Sequence, residues 1–547
     1  MRVAELVVKC LENEGVRYVF GVPGEECEEL LFALDASSIT FIPTRHEQGA
    51  AFMADVWGRL SGKAGVCLST LGPGATNLIT GVADANLDKS PLVAITAQTT
   101  LRQLHKESHQ YLDVISLFRP ITKWNASITD PDTAAEVVRK AFKVAESEKL
   151  GATHIELPED IASLETEGEP LSVVRVRRPD PDHQALQEAV SLLKRAKKPL
   201  VLAGNGAVRK DASHHLRELV SRCHIPIVHT FMGQGAVSDD SPESLHTIGL
   251  GFRDIVMDAM DEADVVLTVG YDLAEYEPAA WNPTRKKTII HIDFTPADVD
   301  THYQPTVEIV ADIPASLREL NRLMEQAACP LDPTWYVSVR DRIRADIRSY
   351  DLADGQPFTV PGVLNILRSI LADDDLLISD VGSHKLWIAR NFPTRCPNGC
   401  LISNGLATMG LSLPGAIAAA LHDPGRRIVA AMGDGGFLMN SQELETAVRL
   451  GVVFTVLLFN DNDYGLISWK QRAHRGRSTG TSLTNPDFVR YAESFGIAAY
   501  RPTTVAELRS QLTAAIHSNR LALVEVPIDQ DVNARVISRL MSGANTR

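Results

Sequence analysis

The chain has 547 residues, 44% hydrophobic and 22% charged, with a formal net charge of −15. That length exceeds what a single hydrophobic core serves, so several domains are expected. The acidic balance excludes a nucleic-acid partner, which calls for clustered Lys and Arg. No apolar run is long enough to cross a bilayer, so no membrane association is expected.

In MRVAELVVKCLENEGV, Val3, Leu6, Val7, Cys10 and Leu11 recur at helical spacing, interrupted by Lys9, Glu12 and Glu14. This reads as an amphipathic helix rather than a secretory signal. Seven cysteines in no dense pattern suit a reducing cytoplasm. Cys396 and Cys400 lack a second ligand pair, so no zinc site is expected. Apolar strand-like runs then alternate with helical stretches: GVCLSTLGPG, SPLVAITAQ, HIELPED, PLVLAGNGA, ADVVLTVGYD, TIIHIDF, LLISDVGS, RRIVAAMGDGG, VFTVLLFNDND and LALVEVPID. Continuous apolar runs mark strands buried on both faces, with helices as crossovers between parallel neighbours. Two breaks, Glu167 to Asp182 and about Ala328 to Thr359, divide the chain into units 1–165, 183–327 and 355–535. The expected fold class is α/β, with three doubly wound parallel-sheet domains. Glycines close several strands at the C-terminal ends, where open α/β sheets place ligands.

In the first unit a strand over Ile39–Pro43 leads through a polar turn to Glu47 and a helix with Gly49, Ala50, Ala51 and Ala54. On spacing alone, Glu47 is a carboxylate favoured by the dipole at a helix start. In the third unit, DLLISDVGSHKLW is a strand ending in Gly382, Ser383 and His384. A second strand, Ile428–Met432, ends in Gly433-Asp434-Gly435-Gly436. A helix is expected through Gln442–Leu450, then a strand over Val453–Phe459 that ends in Asn460-Asp461-Asn462-Asp463-Tyr464-Gly465. If these strands are neighbours, their oxygen-bearing ends converge. A hard cation such as Mg²⁺ takes about six oxygens, some from phosphates. Asp434 and Asp461 offer carboxylates, and Asp463 a backbone carbonyl. Glycines let the backbone approach a diphosphate, and turn N–H groups favour anions. Gly382, Ser383 and His384 could reach the same group as Gly433, Gly435, Gly436, Tyr464 and Gly465.

GDG followed one helix and one strand later by an Asn-Asp pair resembles the thiamine-diphosphate fingerprint. RHEQGAAFMADVWGRLSGKAGVCLSTLGPGATNLITG resembles the pyrimidine-binding domain of the acetolactate synthase family, and the resemblance runs from Val3 to Val526. It implies pyrimidine-binding, central and diphosphate-binding domains in that order. It implies that Glu47 partners the cofactor's ring nitrogen N1′. It also implies that Met409, in NGLATMG, wedges beneath the bent cofactor and that the Ala407 carbonyl holds the 4′-amino group. His109 and Gln110, in KESHQYLD, resemble the His-Gln pair of the catabolic members and could orient a carboxylate or relay a proton. The implied reaction condenses two molecules of pyruvate, a small 2-oxo acid, into 2-acetolactate with loss of CO₂. GYDLAEYEPAAWN looks like the flavin-free catabolic type, so FAD is expected to be absent. The family also implies a homodimer or homotetramer with sites between subunits.

There are departures. Glu25-Glu26 stands where many catabolic members have Ala-Lys, and Lys470 where the best-known members have Trp or Gln. Gln98, with SHQYLD, also resembles carboxyethylarginine synthase. Gln98 and Lys470 are therefore candidate substrate residues. The alternative is a related thiamine enzyme, either of that kind or a 2-oxo acid decarboxylase. Against the latter, residues 1–165 lack the adjacent His-His of pyruvate decarboxylases.

Overall fold

The computed structural model describes residues 1–529 except 175, 210 and 328–331, together with 531 and 534. Part of the second expected break (328–331) and most of the chain beyond 529 lie outside the described residues. The described residues form three six-stranded sheets. The first contains β1 (Tyr18–Gly21), β2 (Thr40–Pro43), β3 (Gly65–Ser69), β4 (Leu92–Gln98), β5 (Trp124–Ser127) and β6 (Ala152–Pro158). The second contains β7 (Pro199–Ala203), β8 (Ile227–His229), β9 (Ser244–Thr247), β10 (Val265–Val269), β11 (Thr288–Asp293) and β12 (Val307–Val310). The third contains β13 (Leu376–Ser379), β14 (Cys400–Ile402), β15 (Ile428–Gly433), β16 (Thr455–Asn460), β17 (Ala498–Tyr500) and β18 (Ala522–Pro527).

Every strand pair is parallel. The first sheet runs β2-β1-β3-β4-β6-β5, and the third, β14-β13-β15-β16-β18-β17, repeats that order. The central sheet differs. Its order, β12-β11-β10-β7-β8-β9, reverses direction between β7 and β10, as in dinucleotide-binding sheets. The three units are thus alike in class, and two of them are alike in topology.

The strands form where the sequence is apolar on both faces. Every residue of β3, β4 and β6 is buried. The main difference from expectation follows β15. A helix starts at once, Asp434–Asn440, before the expected one at Glu443–Leu450. Gly435 and Gly436 conceal it, because glycine is a poor helix former. Packing still demands them. A Cβ on Gly436 would lie 2.0 Å from Asp380 Oδ2, and one on Gly435 2.7 Å from Tyr464 Cε1.

One hydrophobic core joins the first and third units. The helix Glu47–Ser61 buries Ala50, Ala51 and Ala54 completely and packs on the helix Ser412–His422. Gly415 allows that approach, since a Cβ there would meet Val56 Cγ2 at 2.8 Å. Phe52 and Met53 are fully buried, each contributing about 1.5–3 kcal/mol of hydrophobic transfer. Among the described residues no helix is long and apolar enough to cross a membrane.

Candidate active site

Strands β14, β13, β15 and β16 are consecutive and parallel, so their C-terminal loops open on one side of the sheet. Those loops line one cavity of about 260 Å³. Its walls include Gly382, Ser383, His384, Ala407, Met409, Gly433, Asp434, Gly435, Gly436, Asp461, Asp463, Tyr464 and Gly465. Residues that the sequence grouped from four separate segments therefore share one space.

Asn485 Nδ2 ties the oxygen cluster together, donating to Asp434 Oδ2 at 2.5 Å and to Asn460 Oδ1 and Asn462 Oδ1 at 3.1 Å each. The Tyr464 N–H donates to Thr481 O at 2.9 Å and the Leu483 N–H to Asn462 O at 2.8 Å, which fixes the loop after β16. Burial raises the Asp434 carboxyl above its ordinary range. Burial, then the nearby Asp434 charge, pushes Asp461 up to about 7. Asp463 Oδ1 is buried without a hydrogen-bond partner. Among the described residues no three His, Cys, Asp or Glu side chains group as metal ligands. Asp434, which is buried, and Asp461, which is half-buried, line this cavity together with Asp463, an oxygen-rich set that fits a hard divalent cation.

His384 is buried and stacks on Phe459 with ring centroids 5.8 Å apart. Its Nε2 has no partner, and burial lowers its pKa to about 4, so the ring is neutral at pH 7. The helix Ser383–Asn391 starts at this cavity, and its first N–H groups lack intrahelical partners. Met409 is only half-buried and lines the cavity rather than the core. Ala407 has φ of +57°, a left-handed conformation that an alanine seldom adopts. Asp380, which sequence reading missed, is buried beneath this loop. Its Oδ1 accepts from Gly410 N at 2.8 Å and Leu411 N at 3.2 Å.

The first unit carries a separate group. Glu47 opens the helix Glu47–Ser61, whose N-cap, His46, accepts the Gln48 N–H on Nδ1 at 3.1 Å. Glu47 Oε2 accepts from Asn77 Nδ2 at 2.9 Å, a partner that spacing did not reveal. Gly74 lies close, since a Cβ there would stand 3.3 Å from Glu47 Oε1. Gly72, at φ +50°, lies against the Gln110 carbonyl, 2.5 Å from where its Cβ would be. His109 and Gln110 are exposed on this same edge of the sheet. Beside it, Thr70 donates its hydroxyl to Glu26.

Neither Glu47, His109, Gln110, Gln98 nor Lys470 lines the cavity. The helix Asp434–Asn440, about 10 Å long, runs from the cavity to the neighbour of Glu47. Asp434 lies at the cavity, and Asn440 donates to Gln48 Oε1 at 3.1 Å. Gln98 is buried, and its amide donates to Glu156 Oε2 and Leu112 O, both at 3.0 Å. Lys470 is exposed on the helix Gly465–Arg475, whose Leu466 and Ile467 do reach the cavity.

Comparison with known proteins agrees with this geometry. The family models "Thiamine pyrophosphate enzyme, N-terminal TPP binding domain", "central domain" and "C-terminal TPP binding domain" match residues 1–117, 186–320 and 380–526. The chain is 36% identical over 551 residues to an acetolactate synthase of Bacillus subtilis (strain 168), covering 98% of this chain and 95% of that one. It is 35% identical over 550 residues to a catabolic acetolactate synthase of Raoultella terrigena, covering 98% and 97%. It is 34% identical over 552 residues to a probable acetolactate synthase large subunit of Methanocaldococcus jannaschii, covering 97% and 92%. Three sheets in this order, a cavity at the third and full-length identity above 30% lead to one conclusion: the chain belongs to the acetolactate synthase family of thiamine pyrophosphate enzymes.

Proposed function

We propose that this chain condenses two pyruvates to 2-acetolactate with loss of CO₂, using thiamine diphosphate and Mg²⁺. The convergence of the GSH, ATM, GDGG and NDNDYG segments on one cavity carries this reading. Bound thiamine diphosphate supplies a nucleophilic carbon and an electron sink next to the 2-oxo acid carbonyl. Asp434, Asp461 and the Asp463 carbonyl hold the cation. Gly433, Gly435, Gly436, Tyr464 and Gly465 let the backbone approach the diphosphate, and Gly382, Ser383 and the neutral His384 meet it from β13. Unpaired N–H groups at a helix start favour such an anion. The Ala407 carbonyl would receive the cofactor's amino group, and Met409 would pack against its rings.

Glu47 holds a proton at the ring nitrogen N1′, with Asn77 fixing the carboxylate's orientation. Because Glu47 does not line its own chain's cavity, it serves the cavity of a second copy. Exposed apolar side chains support that pairing: Leu406, Leu438, Met439 and Ile467 around the cavity, and Leu112 and Leu117 beyond Gln110. The working unit is then a homodimer or homotetramer. His109 and Gln110 orient the substrate carboxylate. Gln98 holds their loop through Leu112, and Lys470 screens the entrance.

The central unit is read as flavin-free. Glu275 accepts the N–H groups of Asn205 at 3.0 Å and Asp272 at 3.1 Å on Oε1, and the Thr230 hydroxyl on Oε2. It thereby takes backbone donors at the sheet's reversal point that a dinucleotide would use.

The test is product analysis by NMR with purified chain, pyruvate, Mg²⁺ and thiamine diphosphate. Acetolactate with one CO₂ per product is expected. Acetaldehyde as the sole product, or no turnover, would overturn the reading.

A further inference from the structure

Two irregular pieces of the site are anchored from the opposite unit of the same chain. The loop Ser403–Gly410 carries Ala407 and Met409 and includes left-handed backbone at Ala407 and at Gly410 (φ +95°). Such backbone persists only where its surroundings over-determine it. Asp380 and Asn440 of the third unit hold Gly410, and the first unit holds the rest of the loop from Ser403 to Thr408 at several points. Asp84, fully buried on the helix Pro73–Leu87, accepts the Ser403 hydroxyl at 2.8 Å and the Thr408 hydroxyl. The buried Asp88 carboxylate accepts the N–H groups of Gly405 at 2.6 Å and Asn404 at 3.2 Å. Arg59, paired to Asp88 at 3.2 Å, donates to Ile402 O at 2.9 Å.

The reverse anchor comes from the third unit. The fully buried Glu443 accepts, on Oε1, the N–H groups of Arg45 at 3.0 Å and His46 at 3.1 Å, the two residues before Glu47. Thr446 donates to its other oxygen at 2.6 Å. Gly49 gives it room, because a Cβ there would stand 2.8 Å from Oε1. One helix touches both pieces: Pro73–Leu87 carries Asn77, bonded to Glu47, and Asp84, bonded to the loop.

We propose a reciprocal clamp: Asp84 and Asp88 are positioning residues for Ala407 and Met409, and Glu443 is the positioning residue for Glu47. The clamp rests on the site roles proposed above, and it assigns separate kinetic signatures to its two arms. The loop arm sets how tightly the cofactor is held. The Glu443 arm sets turnover once it is bound.

The experiment measures kcat at saturating pyruvate, the half-saturating thiamine diphosphate concentration and the Tm of the cofactor-free chain. Thr408→Val is expected to raise half-saturation about tenfold, the effect of losing one buried hydrogen bond, and Thr408→Ser to restore it. Glu443→Gln is expected to lower kcat about tenfold with half-saturation unchanged. Should Thr408→Val fail to fold, Asp88→Asn must show the same rise in half-saturation. Wild-type values throughout would overturn the clamp. So would a lower Tm with both kinetic parameters worsening together and no rescue by serine. Glu47→Gln is the control. If it turns over normally, or the wild type does not bind thiamine diphosphate, the proposed function fails. If the controls behave and only the clamp variants match wild type, the clamp alone fails.

Discussion

The first and third sheets share one strand order, yet their loops carry opposite chemistry. In the third, strand ends bring Asp434 and Asp461 together, and burial leaves both carboxyls raised. In the first, the carboxylate of Glu47 is held by the neutral amide of Asn77. Topology thus fixes where a ligand sits, and loop residues decide which part of it is taken. Paired acids suit a metal-bound diphosphate. A glutamate held by a neutral amide suits a ring nitrogen that must share a proton.

The sharpest way to break this comparison is to remove the carboxylate proposed to share a proton. Glu47→Gln is expected to lower kcat about 10²–10⁴-fold while titration calorimetry still shows thiamine diphosphate binding. Near-normal turnover would strip Glu47 of its role. Next comes the charged edge. Asp434→Asn is expected to raise the Mg²⁺ concentration for half-maximal activity about a hundredfold, with little change in the saturated Tm. Removal of the metal by chelation should abolish activity reversibly in the wild type.

A smaller effect tests the central sheet, the one with a different order. Burial pushes Glu275 up to about 8 from an ordinary 4.5. The folded chain then keeps a proton that the unfolded chain releases over this interval. This group's contribution to stability therefore falls as pH rises from about 4.5 to about 8. Glu275→Gln should flatten that fall and raise Tm at pH 8.5 by a few degrees. A steeper fall in the variant would refute the assignment. The smallest effect belongs to Lys470. Lys470→Ala should change KM for pyruvate by no more than about fivefold, as befits an exposed charge.

The strands were legible because their apolar runs report burial on both faces, as β3, β4 and β6 illustrate. The third-unit cavity was legible because its residues lie in short runs at strand ends. Other parts were hidden for physical reasons. The helix Asp434–Asn440 is masked by glycines that close packing requires. Asn485, Asp380 and Glu443 act on partners far away in sequence, and nothing local marks them. Gln98 lies on a wholly buried strand, where alternation cannot say which way a side chain is used. The left-handed backbone of Ala407 leaves no compositional trace, since alanine is an unusual choice there.

In the proposed function, Glu47 of one copy and the cavity of another act on one cofactor. Co-expression of Glu47→Gln with Asp434→Asn chains separates the two contributions. About half of the resulting dimers would be hybrids with one intact site, so roughly a quarter of wild-type activity is expected. A mixed preparation no more active than either variant alone would contradict the claim.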